Sequence, residues 1–341
     1  MSSFEEALAA IQAADASLSE DRVAVDQLTI ELDMLSAGER QFRLTEKGLA
    51  LLCNRFERQP KPSVRYLSSL PAGQRTELLR LHLSEGVGGD GTISLFRRGA
   101  DLVGFGRPDL GRLTGGDVLE AASAGTGGRV EDLEVTRSGV ADESLQFDLI
   151  VHRASHEVRR GDVVTAGVRV THSLTGDFAT RIEGYLHRLA CTNGAVHREC
   201  VGPREVPRTR RLPTSHPRAR EQQREQIRRL VADALGTLNR RFAGLERLTT
   251  ERMDVEHFAT HWLRRSRLSP HRLMPLLRQA HAEEGGEETA YGALNAFTRV
   301  ATHQTELSPN IRDVLAHLGG LLAVGHSRLC PRCWSLIAAS N

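Results

Sequence analysis

A short run of prolines divides this chain into two parts with different hydrophobic periods. The residues are Pro203, Pro207, Pro213 and Pro217. Proline removes a backbone donor, so four prolines this close together cannot all lie in regular structure, and residues 201–217 are predicted to form a loop. Before the loop, apolar residues alternate with others, as over 145–151, which is typical of a half-buried strand. After it, residues 227–248 carry an apolar stripe with the helical period of 3.6.

This change of period predicts an α+β fold. We expect an antiparallel sheet with flanking helices, followed by a mainly helical C-terminal region. The domain boundaries follow from the same pattern. Residues 1–200 form a mixed α/β core, 201–217 a Pro/Arg-rich loop, 218–325 a helical region packed on the core, and 326–341 a tail.

Local signals place some elements within the mixed part. Thr45 is a helix-capping residue before the apolar positions of 49–56. Residues 3–15 and 72–85 are also predicted helices. Leu28, Ile30, Leu32 and Met34 alternate with other residues, which predicts one strand.

Composition limits the function. The net charge is only +2 and aromatic residues are 4% of the chain. A platform of many stacking aromatics is therefore not expected, whereas a local basic groove is compatible with a near-neutral total. Lys47 and Lys61 are the only lysines, so the positive charge is almost entirely arginine, whose planar fork suits phosphate and carboxylate.

The compartment expected is the cytoplasm. No run approaches the ~18 apolar residues of a membrane span. The first residues lack the basic and apolar regions of a secretion signal. Five cysteines, an odd number, fit a reducing environment better than a disulfide framework.

Arginine is concentrated where the proline loop meets the helical region. Between Val201 and Arg229 there are nine arginines and three glutamates. The arginines are Arg204, Arg208, Arg210, Arg211, Arg218, Arg220, Arg224, Arg228 and Arg229. An arginine-rich loop attracts a phosphate backbone by releasing condensed counterions. Nucleic acid is therefore the predicted partner, with Arg204, Arg208, Arg210 and Arg211 as contacts; the alternative is a solvated loop and helix face.

The segment Arg188–Gly194 permits two interpretations. Asn193-Gly194 favours a tight turn, with Cys191 as a small buried residue at a strand end. Alternatively, Arg188 and Asn193 present donors to a ligand there. No general base is placed by the sequence to make Cys191 a nucleophile.

Two sets of residues have metal-ligand spacing. Cys330-Pro331-Arg332-Cys333 is a knuckle of the kind that holds zinc, and His326 is a third candidate ligand. A redox pair or two ordinary cysteines are the alternatives. His257 and His261, spaced i, i+4, share one face of a predicted helix.

Four short motifs follow one another in an order known from one protein family. The motifs are Phe42–Glu46, Tyr66–Pro71, the Ser173-x-x-Gly176 turn with Arg188–Gly194, and Thr289–Thr298. They resemble the family called domain of unknown function 932, found in bacteria, phages and plasmids, over about residues 40–324. The resemblance implies a role in DNA handling.

No phosphate-binding loop, nucleophile elbow or zinc-protease motif occurs in the sequence. We therefore expect a non-enzymatic nucleic-acid-binding protein of phage or plasmid type. DNA is the favoured ligand, and a homo-oligomer would bind or anneal single strands. One alternative is a scaffold subunit of a mobile-element or defence system that assembles through the 220–248 stripe. Another is a metal-dependent nuclease. No cofactor is expected other than zinc at the tail, and no membrane partner is expected.

Overall fold

A computed structural model describes residues 3–32, 34–87, 91–106, 112–141, 143–188, 193–197, 204–205, 217–239 and 242–324. The fold is α+β, with mainly antiparallel sheets and a helical C-terminal region. The helices are α1 (Phe4–Ala16), α2 (Glu46–Arg55), α3 (Val64–Ser69), α4 (Ala72–Ser84), α5 (Gly115–Thr126), α6 (Pro217–Asn239), α7 (Phe242–Leu248), α8 (Val255–Arg265), α9 (Pro270–Glu283), α10 (Ala290–His303) and α11 (Pro309–Val324). The strands are β1 (Ser19–Ala24), β2 (Leu28–Glu31), β3 (Met34–Ala37), β4 (Arg40–Leu44), β5 (Thr92–Arg98), β6 (Asp101–Gly106), β7 (Leu133–Ala141), β8 (Ser144–Arg159), β9 (Asp162–Ser173), β10 (Arg181–Arg188), β11 (Asn193–His197) and β12 (Arg204–Glu205).

The first sheet, here called the barrel sheet, has the order β1-β5-β6-β4-β3-β2. Its two edge strands are joined by only three residues, Val25–Gln27. A flat sheet of six strands is about 24 Å wide, whereas this connection reaches at most about 14 Å. The sheet must therefore curl until its edges meet. Asp21 on β1 accordingly binds both Arg97 of β5 and Arg40 of β4.

The curled sheet has its own core, separate from that of the rest of the chain. Leu52 and Phe56 at the C-terminal end of α2 and Leu79 of α4 are buried in it. The Thr45 side chain caps α2 by accepting from the Gly48 N–H, as the sequence predicts. The single strand predicted over 28–34 is instead the hairpin β2–β3, because Leu32 adopts a left-handed conformation, φ 54°.

The second sheet, here called the central sheet, has the order β11-β10-β9-β8-β7, and β12 also pairs with β10. Leu145, Phe147 and Leu149 of β8 lie on its apolar face, against α1, α5 and α6. The apolar stripe of the sequence is divided between α6 and α7. Its residues Ile227 and Val231 are fully buried in this core.

The opposite face of the central sheet carries a buried ion pair. Arg169 of β9 donates Nε to Asp148 Oδ1 at 2.7 Å and Nη2 to Oδ2 at 2.9 Å. The Asp148 side chain is 0% exposed and that of Arg169 4%. Glu183 lies directly opposite Arg169 on β10. Arg169 Nη1 is also 3.8 Å from Asp313 of α11, so this face of the sheet meets the last helices.

The barrel sheet and α10 meet the central sheet at opposite ends of its long strands β8 and β9. At one end of β8 and β9, Glu143 binds Arg98 of β5, and a Cβ at Gly104 would collide with Thr175 at 2.5 Å. At the other end, Arg159 binds Glu287, just before α10, and Asp162 accepts from the Tyr291 hydroxyl at 3.0 Å. The strand β8 between these ends has 16 residues, about 50 Å of extended chain.

His172, near the end of β9, is buried beneath the chain that leads into α5. Its Nε2 donates to the Leu113 carbonyl at 3.1 Å, and its Nδ1 accepts from the Thr180 hydroxyl at 2.8 Å. A carbonyl can only accept, so the neutral tautomer with hydrogen on Nε2 satisfies both contacts. Burial lowers the pKa of His172 to about 4.

Removal of Arg169 should be far more damaging than removal of the whole pair. Arg169→Met leaves Asp148 charged and buried, which should lower the free energy of unfolding by about 3–5 kcal/mol. Asp148→Leu combined with Arg169→Met should recover most of that loss. Urea unfolding of the two single variants and the double variant measures the coupling. Additive single effects would show that the pair is not coupled.

The low pKa of His172 makes stability depend on pH. Between pH 6.5 and about 4 the unfolded chain binds a proton at this position that the folded chain does not. The free energy of unfolding should therefore fall as pH falls through this window, by about 3 kcal/mol in total. Urea unfolding from pH 7 to pH 4 measures it. Glutamine cannot titrate, so His172→Gln should give a shallower decline; equal slopes would contradict the assignment.

Candidate nucleic-acid interface

The longest stretch of the helical region without acidic residues lies in α8 and α9. Between Glu256 and Glu283 there is no Asp or Glu. The stretch holds five arginines and four histidines: His257, His261, Arg264, Arg265, Arg267, His271, Arg272, Arg278 and His281. The whole chain has a net charge of only +2, so this is a strong local excess of positive charge.

The turn between α8 and α9 is tightly hydrogen-bonded. The N–H of Arg267 donates to Arg264 O at 3.0 Å, and the N–H of Leu268 donates to Leu263 O at 2.9 Å. Arg267 is left-handed, with φ 57°. The hydrogen bond from Leu268 back to Leu263 spans the left-handed residue Arg267. This combination is the Schellman motif that ends many helices.

Arg267 occupies a position that favours glycine. Its Cβ crowds the backbone in the left-handed region, at a cost of about 1 kcal/mol. The side chain is exposed and gains no ion pair with the described residues in return. A charged side chain kept at a strained, exposed position suggests a role outside the folded chain's own stability.

Four arginines around this turn, here called the α8–α9 arginine patch, point to solvent. They are Arg264, Arg265, Arg267 and Arg272, each exposed. None of them forms an ion pair with any residue that the structure describes. Arg278, one turn further along α9, differs because it pairs with Glu256. The patch therefore has four guanidinium groups available for an anionic partner.

Trp262 organises one side of the patch. The Arg265 guanidinium lies 5.6 Å from the centre of the indole ring, and the His261 ring meets the same ring edge-on at 5.6 Å. A cation held over an aromatic face loses side-chain freedom before any ligand binds. Arg265 is thus partly pre-ordered.

The start of α9 adds to the positive potential. Ser269 makes no side-chain hydrogen bond as the cap, and Pro270 is the first helical residue. The N–H groups of the first turn are therefore not covered by a capping side chain, and the helix dipole places partial positive charge beside His271 and Arg272.

The arginine cluster predicted on α6 is largely neutralised. Arg224 binds Asp117 and Glu120 of α5, both at 3.1 Å. Arg228 binds Glu221 at 2.8 Å, and Arg229 binds Glu225 at 2.9 Å. Counting charges along the sequence missed the pairs of Arg224, because the α5 carboxylates are distant in the chain.

The structure describes the other predicted contact residues only in part. Arg188 and Asn193 are register partners in the β10–β11 hairpin, so their backbones are adjacent. The backbone of Arg204 pairs with that of Ile182 in β10. The side chains of these three residues lie outside the described part. Arg208, Arg210 and Arg211 lie entirely outside it, as do His326, Cys330 and Cys333 of the predicted zinc knuckle.

Catalytic chemistry finds little support in the described ranges. They contain no group of three His, Cys, Asp or Glu side chains that could hold a metal ion, so His257 and His261 have no third ligand there. Burial raises the pKa of the Cys53 thiol to about 11, which keeps it protonated. An open cleft of about 830 Å³ beside β2 and α4 has mixed lining, including Asp26 and Arg80.

No protein-family model, curated protein or solved structure matches this chain. The resemblance to domain of unknown function 932 therefore stays a prediction. No helix in the described ranges is long and apolar enough to cross a membrane.

Arg267→Gly should raise the thermal unfolding temperature, because glycine adopts the left-handed conformation without strain. The expected gain is up to about 1 kcal/mol. Arg264→Gly is the matched control: Arg264 is helical, so the same substitution should lower stability there. Calorimetry of both variants measures the difference. A drop in stability for Arg267→Gly would show that its side chain stabilises the fold.

Proposed function

We propose that this protein binds nucleic acid through the α8–α9 arginine patch. The observation that carries the proposal is the set of four exposed arginines without acidic partners among the described residues. The strained conformation of Arg267 supports it, since the cost falls on a side chain that the fold does not use. The proposed contacts are mainly from guanidinium to phosphate, so they fix position more than sequence.

Phosphate suits this patch better than a protein carboxylate surface does. Arginine forms paired hydrogen bonds with phosphate oxygens, and neutralising a nucleic-acid backbone releases its condensed counterions. Each phosphate contact therefore gains free energy that depends steeply on salt. Four neighbouring guanidiniums would provide about four such contacts.

The proline loop is proposed as a second contact region. Arg204, Arg208, Arg210 and Arg211 are its proposed phosphate contacts, with Arg188 and Asn193 at the end of the adjoining hairpin. DNA is the favoured ligand because of the resemblance to a phage and plasmid family. On that basis the protein would act as a non-enzymatic homo-oligomer, in the cytoplasm. No cofactor is proposed except zinc at His326, Cys330 and Cys333.

The barrel sheet is the other surface that could bind a strand. If β1 and β2 are counted as one interrupted strand, the sheet has five strands. Barrels that bind oligonucleotides also have five strands. Such barrels use exposed aromatic rings. Phe42, Phe96 and Phe105, on its strands, are all buried, and Arg43 is paired with Asp101. The α8–α9 arginine patch is therefore preferred.

Two other functions were predicted as alternatives. A scaffold assembling through the stripe of α6 and α7 would need that stripe exposed, yet Ile227, Val231 and Leu245 are buried in the chain's own core. A metal-dependent nuclease would need a carboxylate cluster, and the described residues offer none with metal-binding geometry. Nucleic-acid binding is therefore the function that we propose.

Replacing the α8–α9 arginine patch by alanine should weaken binding and flatten its salt dependence. Four lost phosphate contacts should reduce the slope of log K against log salt by about 3–4. Fluorescence anisotropy with labelled DNA and RNA, from 50 to 200 mM salt, measures this.

The matched control removes four exposed arginines that are already paired and lie away from α8 and α9: Arg22, Arg40, Arg43 and Arg229. It makes the same change in net charge, so its slope should stay close to that of the parent. A third variant, with Arg204, Arg208, Arg210 and Arg211 replaced by alanine, tests the loop separately. Equal slopes for the patch variant and the control would remove the patch from the interface.

A further inference from the structure

We infer that α8, the turn and α9 form a helix-turn-helix unit that binds duplex DNA, with α9 in the major groove. The inference rests on the proposed function and adds the class of nucleic acid. It also assigns different contacts to the two helices. Arginines at the turn bind phosphates, and the exposed side of α9 faces base edges.

The connection has the length and rigidity of such a unit. Four residues, 266–269, separate α8 from α9, and helix-turn-helix connections have three or four. The left-handed residue in the turn reverses the chain, a task that often falls to glycine. Leu268 packs against the core, which fixes the turn to the protein body.

A third helix supports both members of the unit. The ring of Phe258 in α8 meets that of Phe297 in α10 edge-on at 5.9 Å. On α9, Leu273 and Leu277 are buried, and the Thr260 hydroxyl donates to Met274 Sδ at 3.7 Å. One side of α9 is thus committed to packing, which leaves the other side presented to solvent.

The outer side of α9 carries side chains suited to bases. In the first ten residues of α9 the exposed side chains are His271, Arg272, Pro275, Arg278 and Gln279. They cover two turns, about 12 Å of helix. A helix about 10–12 Å across fits the major groove, which is about 12 Å wide.

Two of these residues have preferred base partners. Arginine pairs in a bidentate manner with guanine, and glutamine with adenine. Gln279 donates Nε2 to Glu283 at 2.9 Å, which limits its rotamers. Arg272 is within the first turn of α9, where helix-turn-helix proteins make base contacts.

The other three arginines of the patch lie just before the N-terminus of α9. Arg264 and Arg265 end α8, and Arg267 lies in the turn itself. In helix-turn-helix complexes the first helix crosses the backbone, so these three guanidiniums fall where phosphates line the groove.

Single strands fit this surface less well. Stacking of unpaired bases needs aromatic faces that are open to solvent. Trp262 is the aromatic side chain beside the described patch, and the Arg265 guanidinium already lies over its ring. A duplex needs no such face, because its bases stay stacked on one another.

The test uses the full chain and three labelled ligands of equal length: a duplex of 25 base pairs and its two separated strands. Anisotropy at physiological salt should show at least a ten-fold preference for the duplex. Selection from a randomised duplex pool should enrich a motif. Gln279→Ala should abolish preference at one position of that motif, whereas Gln222→Ala on the exposed side of α6 should leave it intact.

The outcomes separate the two proposals. Equal or tighter binding of single strands, or a selection without any enriched motif, would overturn the duplex inference while nucleic-acid binding itself stands. Absence of binding to all three ligands at low salt would overturn both. Thermal unfolding of Gln279→Ala ensures that a lost preference is not a folding defect.

Discussion

The Asp148–Arg169 ion pair is the constraint on which the rest of the structure depends. Both charges lie in the middle of the central sheet and are almost without solvent. A buried charge is tolerated only when its partner is held in good geometry, so β8 and β9 have one permitted register here. A slip by one residue would bury Arg169 among the apolar residues of the other face. The pair thus fixes which face meets α11 and which meets α6.

That fixed register determines where the remaining modules lie. The barrel sheet attaches where β8 begins, through Glu143 and Arg98, and the helices α8 to α10 attach at the β8–β9 turn, through Asp162 and Tyr291. The two attachments are at opposite ends of long strands. The α8–α9 arginine patch is therefore carried by helices that join the central sheet at the end away from the barrel sheet.

Periodicity in the sequence was sufficient to predict the fold class, because buried apolar residues recur about every 2 residues in β8 and about every 3.6 residues in α6. It failed at Leu32, where the turn uses a left-handed leucine without the glycine or asparagine that would signal it. The candidate site, too, could be predicted from the sequence only in part. The acid-free stretch around α8 and α9 is visible in the sequence. Which arginines are neutralised is not, since Arg224 pairs with carboxylates more than 100 residues away.

Those pairings explain how a chain with a net charge of +2 can carry a strongly basic surface. Three arginines of α6, Arg224, Arg228 and Arg229, and the arginines on the strands of the barrel sheet are matched by carboxylates within hydrogen-bonding reach. They therefore contribute little field beyond the surface. Around the α8–α9 turn this matching stops among the described residues. Arg267 adds a conformational cost to the unbalanced charge. Because neither feature stabilises the folded chain, an external polyanion is the simplest physical reason for both to occur in the same turn.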